Sequence, residues 1–182
     1  MESKSLKTYA LNTWCPGCGN FGILKAFQDT IIELSKEGLK SIKIIIASGI
    51  GCHGKIVNYI DLNSFYSIHG RVPPICEGIK IANPDLKVVG FAGDGDVYGE
   101  GISHLIFAAK RNIDITMVIH NNQVYGLTTG QFTPTSPKGY KGKSTPSGGV
   151  ENPLNPLLLM LAAGATFVAR GFPKELYHLK KL

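Results

Sequence analysis

The sequence predicts an α/β fold, one domain built on a parallel sheet flanked by helices. Three observations predict it. Leu86–Ala92 and Ile113–His120 are nearly continuous apolar runs, the pattern of strands covered on both faces. A segment with helical periodicity, Gly99–Arg111, lies between them. Strand, helix and strand at this spacing form the right-handed crossover that joins parallel strands.

The elements follow in order. Residues 1–19 read as irregular. Phe21–Lys36 reads as a helix whose apolar face is Ile23, Leu24, Phe27, Ile31, Ile32 and Leu34. Ser41–Ala47 is β-branched and short enough for a buried strand, and it opens into the glycine-rich loop Ser48–Cys52. Pro73–Ala82 is a short helix with proline in its first turn. Leu86–Ala92 is a strand, Gly93–Asp96 a turn, Gly99–Arg111 a helix carrying Ile102, Leu105, Ile106 and Ala109 on one side, and Ile113–His120 a strand. Residues 126–153, rich in Gly, Pro, Ser, Thr and Lys, are too long for a plain connector, and such loops are usually functional or mobile. Leu154–Ala163 reads as helix, Thr166–Ala169 as strand, and Pro173–Leu182 as a helix in which the chain ends uncapped, the mark expected of a truncated polypeptide.

Composition narrows the function. The 182 residues suffice for one sizeable core, with 43% hydrophobic and 18% charged residues. The formal charge is +6, but the basic residues are scattered rather than interleaved with aromatics, which argues against nucleic acid and for anionic cofactors or an acidic partner. No apolar run approaches about 18 residues, so no membrane span is expected. The opening Met1–Lys7 lacks the apolar core of a secretory signal, and a cytoplasmic location is expected. Four cysteines then read as metal ligands or buried thiols before disulfides. Twenty-two glycines exceed turn needs and suggest backbone running close to a ligand.

In a parallel α/β sheet, ligands bind beyond the carboxyl ends of the strands. Asp94 follows one strand and Asn122 the next. One carboxylate, neutral oxygens and a diphosphate suit magnesium, which takes few protein ligands. Gly93 and Gly95 would let backbone amides approach phosphates, and the following helix N-terminus adds positive potential. An ordinary turn would explain Gly93-Asp94-Gly95 alone, but not its pairing with Asn121-Asn122 at the next strand end. The spacing resembles the Gly-Asp-Gly…Asn motif of thiamine-diphosphate enzymes, and that resemblance implies Asp94, Asn122 and the carbonyl of Val124 as metal ligands.

Trp14-Cys15-Pro16-Gly17-Cys18-Gly19 has the tight loop that lets two thiolates share a metal centre, and Cys52 lies in the loop after the first strand. An iron–sulfur cluster, zinc and a redox dithiol all remain open on these residues. Zinc is disfavoured by the absence of a suitably spaced histidine. A redox dithiol is disfavoured by the absence of a preceding strand.

Trp14–Leu24, Ser48–Lys55, His69-Gly70-Arg71, Gly93–Asp96 and Asn121–Gln131 occur in order, and together they resemble the β subunit of archaeal-type 2-oxoacid:ferredoxin oxidoreductases. The likeness runs from about residue 8 to the end. It implies a thiamine-diphosphate-binding fold spanning residues 1–182, with a cluster-binding segment at residues 1–19 and the C-terminal part of the family subunit missing. It implies thiamine diphosphate, Mg2+ and a [4Fe–4S] cluster on Cys15, Cys18 and Cys52, the family's fourth cysteine lying beyond this sequence. Cys76 matches no family cysteine and reads as a buried thiol. The implied reaction is oxidative decarboxylation of a 2-oxoacid with coenzyme A to acyl-CoA and CO2, electrons passing through the cluster to ferredoxin.

Cofactor contacts are expected from Gly49, Ile50, Gly51, Cys52, His69, Gly93, Asp94, Gly95, Asp96, Asn122, Val124, Tyr125, Gly126, Leu127 and Thr128. Lys55 is expected near the diphosphate or substrate carboxylate, His69 at the diphosphate or in proton transfer, and Asp96 as a helix cap. The glutamate that activates the cofactor belongs, in the family, to an α subunit, so an αβ or α2β2 assembly is expected, inactive without its partner. Two rivals stand beside this: a non-redox thiamine-diphosphate decarboxylase or synthase, and a non-catalytic assembly protein holding zinc on Cys15 and Cys18.

Overall fold

The computed structural model describes residues 6–182; what the sequence suggests for residues 1–5 lies outside the described residues. The chain forms α1 (Gly19–Lys36), β1 (Ile44–Ser48), α2 (Ile56–Tyr59), β2 (Asn63–Tyr66), α3 (Val72–Ala82), β3 (Lys87–Gly93), α4 (Ile102–Arg111), β4 (Thr116–His120), the short strands β5 (Val124–Tyr125) and β6 (Gln131–Phe132), α5 (Pro156–Ala162) and α6 (Leu176–Lys181). The main sheet is parallel throughout, in the order β2-β1-β3-β4.

Both faces of the central strands are buried, which is why their sequences read as unbroken apolar runs. On one face Ile44, Ile46 and Phe91 pack against Leu24 and Ile31 of α1 and Ile56 and Val57 of α2. Phe27 meets Phe91 edge-on at 5.0 Å. On the other, Ala47, Val88 and Ala92 pack against Val72 and Cys76 of α3 and Leu105 of α4. Phe91, Ile44, Ile46 and Ile56 are at most 1% exposed, and burial of each such side chain contributes about 1.5–3 kcal/mol. Lys80 extends along α3 so that Nζ donates to the carbonyls of Pro84 and Leu86, each at 2.8 Å, and pairs with Asp114 at 2.7 Å.

Several sequence expectations change. The α1 face extends to Ala26 and Gln28, whereas Leu34 is exposed. β2 had no sequence signal: all four residues are exposed, and only its backbone ladder to β1 makes it a strand. The turn expected at Gly93–Asp96 is instead the end of β3 followed by one π-helical turn, Gly95–Glu100, that runs into α4. The strand expected at Thr166–Ala169 does not form. Its composition suits a strand, but a strand exists only against a partner. Residues 165–171 instead line, with residues 115–122, one cleft of about 1870 Å3, and Phe167 stays 69% exposed. Residues 126–153 carry β6, which pairs antiparallel with β5 just before them, and a buried knot at Thr133, Thr135 and Ser136. No helix among the described residues is long and apolar enough to cross a membrane.

Candidate active site

Because β1, β3 and β4 are parallel neighbours, their carboxyl ends deliver three loops to one edge of the sheet. β1 brings Gly49–Cys52, β3 brings Asp94–Asp96, and β4 brings Asn121–Val124; residues from all three line the cleft.

Asp94 is 1% exposed. Its Oδ2 accepts hydrogen bonds from the Thr133 hydroxyl at 2.5 Å and the Thr135 hydroxyl at 2.7 Å. Asn122 forms a tight turn in which its Oδ1 accepts from the Val124 amide at 3.2 Å, with Gln123 in the left-handed region at φ 61°. Gly93 and Gly95 make room for protein rather than leaving an open cradle. A Cβ on Gly93 would lie 2.7 Å from His53 Nδ1, and one on Gly95 would strike the Tyr125 ring, whose hydroxyl donates to the Gly95 carbonyl at 2.8 Å.

Asp96 caps no helix. Its carboxylate reaches sideways to the loop before α3, where Oδ1 accepts from the Gly70 amide at 2.7 Å and lies 3.0 Å from His69 Nδ1. Oδ2 stands 3.4 Å from His53 Nε2, close enough for attraction but not aligned as a hydrogen bond. Burial pushes the Asp96 carboxyl up, yet His53, the Gly70 amide and His69 outweigh that and hold it below the usual value. His69 also lies 3.7 Å from Glu100 Oε1. His120 Nδ1 is 2.8 Å from Asn20 Oδ1, and its ring lies 5.6 Å from that of His53. Burial first, then His53, pushes His120 down to about 3, so the ring is neutral and Nδ1 carries the proton donated to Asn20. That leaves three buried polar atoms around one spot without a hydrogen-bond partner: His53 Nε2, Asp96 Oδ2 and His120 Nε2. Buried polar atoms are ordinarily paired, so this spot fits a polar ligand or ordered water.

The cysteine loops meet the same region. Cys15, Cys18 and Cys52 all line the cleft, and the Trp14 indole donates to the Cys52 carbonyl at 2.5 Å. Burial pushes the Cys52 thiol up; Lys55 opposes this, and Cys18 and Cys15 add to it. A Cβ on Gly126 would lie 3.5 Å from Asn122 Nδ2 and 3.8 Å from Cys52 Sγ, so one residue separates the strand-end turn from the thiol loop. Among the described residues no three His, Cys, Asp or Glu side chains already converge as a metal cage. Cys76 is fully buried, and burial, then Glu77, pushes its thiol up to about 12.

Of the residues expected at the site, Ile50–Cys52, His69, Gly93–Asp96, Asn122 and Val124–Thr128 line the cleft. Gly49 lies directly behind it, against the Asp96 carboxylate. Lys55 does not line it: Nζ donates to Thr13 Oγ1 at 2.8 Å in a separate hollow formed with Thr8, Tyr9 and Tyr59. The residues missed from sequence are Thr133, Thr135, Ser136 and Asn20, while His53 and His120 carried only weak cases there.

Fold and strand-end basin together define an α/β domain with its ligand crevice at the carboxyl ends of a parallel sheet. The family described as thiamine pyrophosphate enzyme, C-terminal TPP binding domain, matches residues 49–181, and the chain belongs to it. The chain is 48% identical over 173 residues to the 2-oxoacid:ferredoxin oxidoreductase subunit beta of Saccharolobus solfataricus, covering 94% of this chain and 56% of that protein. It is 46% identical over 166 residues to the 2-oxoglutarate synthase subunit KorB of Archaeoglobus fulgidus, covering 91% and 61%. A solved 2-oxoglutarate:ferredoxin oxidoreductase from Magnetococcus marinus, with 2-oxoglutarate, coenzyme A and succinyl-CoA bound, superposes with a TM-score of 0.94 at 41% identity, covering all of this chain and 61% of that one. The chain thus spans somewhat over half the length of these relatives.

Proposed function

We propose that this chain is the cofactor- and cluster-binding part of the β subunit of a 2-oxoacid:ferredoxin oxidoreductase. The observation that carries the proposal is the position of Gly126, between the Asn122 turn and the Cys52 thiol. An enzyme that decarboxylates and then removes electrons needs its organic cofactor beside its electron acceptor. A non-redox decarboxylase has no use for that juxtaposition, and an assembly protein has no use for the Asp94–Asn122 pair.

Asp94, Asn122 and the Val124 carbonyl would hold Mg2+ and, through it, the diphosphate. Thiamine diphosphate, when bound, supplies the electron sink for loss of CO2 from a 2-oxoacid. Cys15, Cys18 and Cys52 would supply three thiolates to a [4Fe–4S] cluster. His120 Nε2, which has no hydrogen-bond partner, and His53 Nε2, set against the Asp96 carboxylate, face the polar end of the cofactor site. His69, partly exposed and paired with Asp96, is placed to exchange a proton between the cleft and solvent. Lys55 acts through charge on the Cys52 loop, which its effect on that thiol supports. The acid that activates the cofactor, and part of the substrate pocket, come from an α subunit; coenzyme A and ferredoxin complete the reaction.

The test is the Mg2+-dependent binding of thiamine diphosphate, with iron and sulfide analysis of anaerobically purified protein. The expected result is binding that Asp94→Ala abolishes, together with bound iron. Retained affinity in Asp94→Ala would overturn the metal assignment, and zinc in place of iron would favour the assembly protein.

A further inference from the structure

We propose that the segment Thr133-Pro134-Thr135-Ser136 is a clasp that sets the geometry of the metal site without touching the metal, with Thr135 as its central positioning residue. The inference rests on the assignment of Asp94 and Asn122 as ligands made above.

The observations concern which groups are spoken for. Thr133 and Thr135 are each 2% exposed and Ser136 is 6% exposed, although all three lie within a long loop rich in glycine and proline. Buried hydroxyls need partners, and these find theirs at the two strand ends that carry the proposed ligands. Thr133 and Thr135 both donate to the same oxygen of Asp94, Oδ2, at 2.5 and 2.7 Å. Asp94 Oδ1 accepts no hydrogen bond among the described residues and is left for a cation. On the β4 side, Thr135 Oγ1 lies 2.9 Å from Asn121 Oδ1, and Ser136 Oγ donates to the Gln123 carbonyl at 2.6 Å. A threonine hydroxyl has one proton. That proton faces two acceptors, Asp94 Oδ2 and Asn121 Oδ1, and Asn121 Oδ1 also accepts from the Gln123 amide at 3.3 Å. Ser136 also accepts from the Thr133 amide at 2.8 Å, which closes the clasp on itself.

The consequence is geometric. Asp94 directly follows β3, and Asn122 lies between the two residues after β4, Asn121 and Gln123, that the clasp grips. Four residues therefore span both strand ends and fix the distance between the two ligands and the rotamer of one of them. Groups that orient a ligand from behind typically change metal affinity by about 10–100-fold when removed. The isosteric change Thr135→Val removes the hydroxyl and keeps the shape.

The experiment titrates Mg2+ into purified protein containing the full chain at fixed thiamine diphosphate, with tryptophan fluorescence or calorimetry as the readout; Mn2+ and its electron paramagnetic resonance signal provide a cofactor-independent arm. Thr135→Val is expected to raise the Mg2+ and Mn2+ concentrations for half-saturation by about 10–100-fold, and Thr135→Ser to restore them to near wild type. Thr133→Val, which removes the other hydroxyl on Oδ2, is expected to shift them in the same direction and serves if Thr135→Val does not fold. Unchanged half-saturation in a folded valine variant would overturn the clasp, as would a serine variant as weak as the valine one, because a packing role alone predicts those results. Wild-type protein that binds neither Mg2+ with cofactor nor Mn2+ would overturn the metal assignment itself.

Discussion

Replacing Gly49 by alanine adds one methyl group at a place where there is no room for it. A Cβ there would lie 2.7 Å from the Asp96 Cγ and 3.0 Å from its Oδ1. The carboxylate cannot swing clear without leaving the Gly70 amide at 2.7 Å and His69 at 3.0 Å, and Asp96 is only 2% exposed. Nor can residue 49 retreat, because its amide donates to the Phe91 carbonyl at 3.0 Å and its own carbonyl is packed against Gly54. Overpacking a core of this kind costs about 1–3 kcal/mol. Giving up a hydrogen bond to a charged group costs about 1.5–3 kcal/mol. The two routes share the load, so Gly49→Ala is expected to destabilise the chain by about 2–4 kcal/mol. At about 2–4 °C per kcal/mol for a chain of this size, its midpoint should fall by roughly 4–16 °C. Gly78→Ala is the control. Gly78 lies inside α3 with nothing within 4 Å of an added Cβ, and alanine there should stabilise by about 0.5–1 kcal/mol. Urea unfolding followed by circular dichroism gives both values. A Gly49→Ala variant within about 0.5 kcal/mol of wild type would refute the reasoning, as would equal shifts in the two variants.

Three further outcomes are expected. Lys80→Met should cost about 1–3 kcal/mol in urea unfolding, because it strips a partner from the Pro84 and Leu86 carbonyls; a neutral result would mean that water replaces the ammonium. His120 is held at about 3 against an ordinary 6.5, so below pH 6.5 the unfolded chain takes up a proton that the native chain refuses. Stability is fully present above that pH and should fall by about 1.4 kcal/mol per pH unit beneath it, a slope that His120→Asn should remove. In timed alkylation of cluster-free protein read by mass spectrometry, exposed Cys15 should react first and Cys76 last, with little thiolate at neutral pH; early modification of Cys76 would show that the α3 face opens readily.

The sheet was legible in the sequence because burial on both faces writes a continuous apolar run, as in β1 and β3; β4 carries such a run too, although Met117, Val118 and Ile119 are only half-buried. β2 was not, because it owes its existence to a neighbour's backbone and its exposed Asn63-Ser64-Phe65-Tyr66 carries no pattern. The expected strand at Thr166–Ala169 failed for the complementary reason: favourable composition without a partner. At the site, Asp94 and Asn122 could be found because strand ends are marked positions. Thr133 and Thr135 could not, since Thr-Pro-Thr-Ser in a polar loop looks the same whether its hydroxyls face solvent or a buried carboxylate. Asp96 was noticed, but its partners Gly70 and His53 come from other loops, and only the tertiary fold joins them.

The order β2-β1-β3-β4 leaves β4 paired on one side only among the described residues, with the large cleft along the other. In a parallel ladder, alternate amides of β4 turn toward β3 and the rest turn toward that cleft. The sheet is therefore graded rather than uniform in its resistance to solvent. Amides locked between β1 and β3 should exchange hydrogen only through global unfolding, whereas the outward amides of β4 should exchange through wetting of the cleft alone. The strand end that carries Asn121 and Asn122 lies at the wetter margin, so the free energy for assembling that half of the site is set by how the cleft is filled more than by the stability of the core.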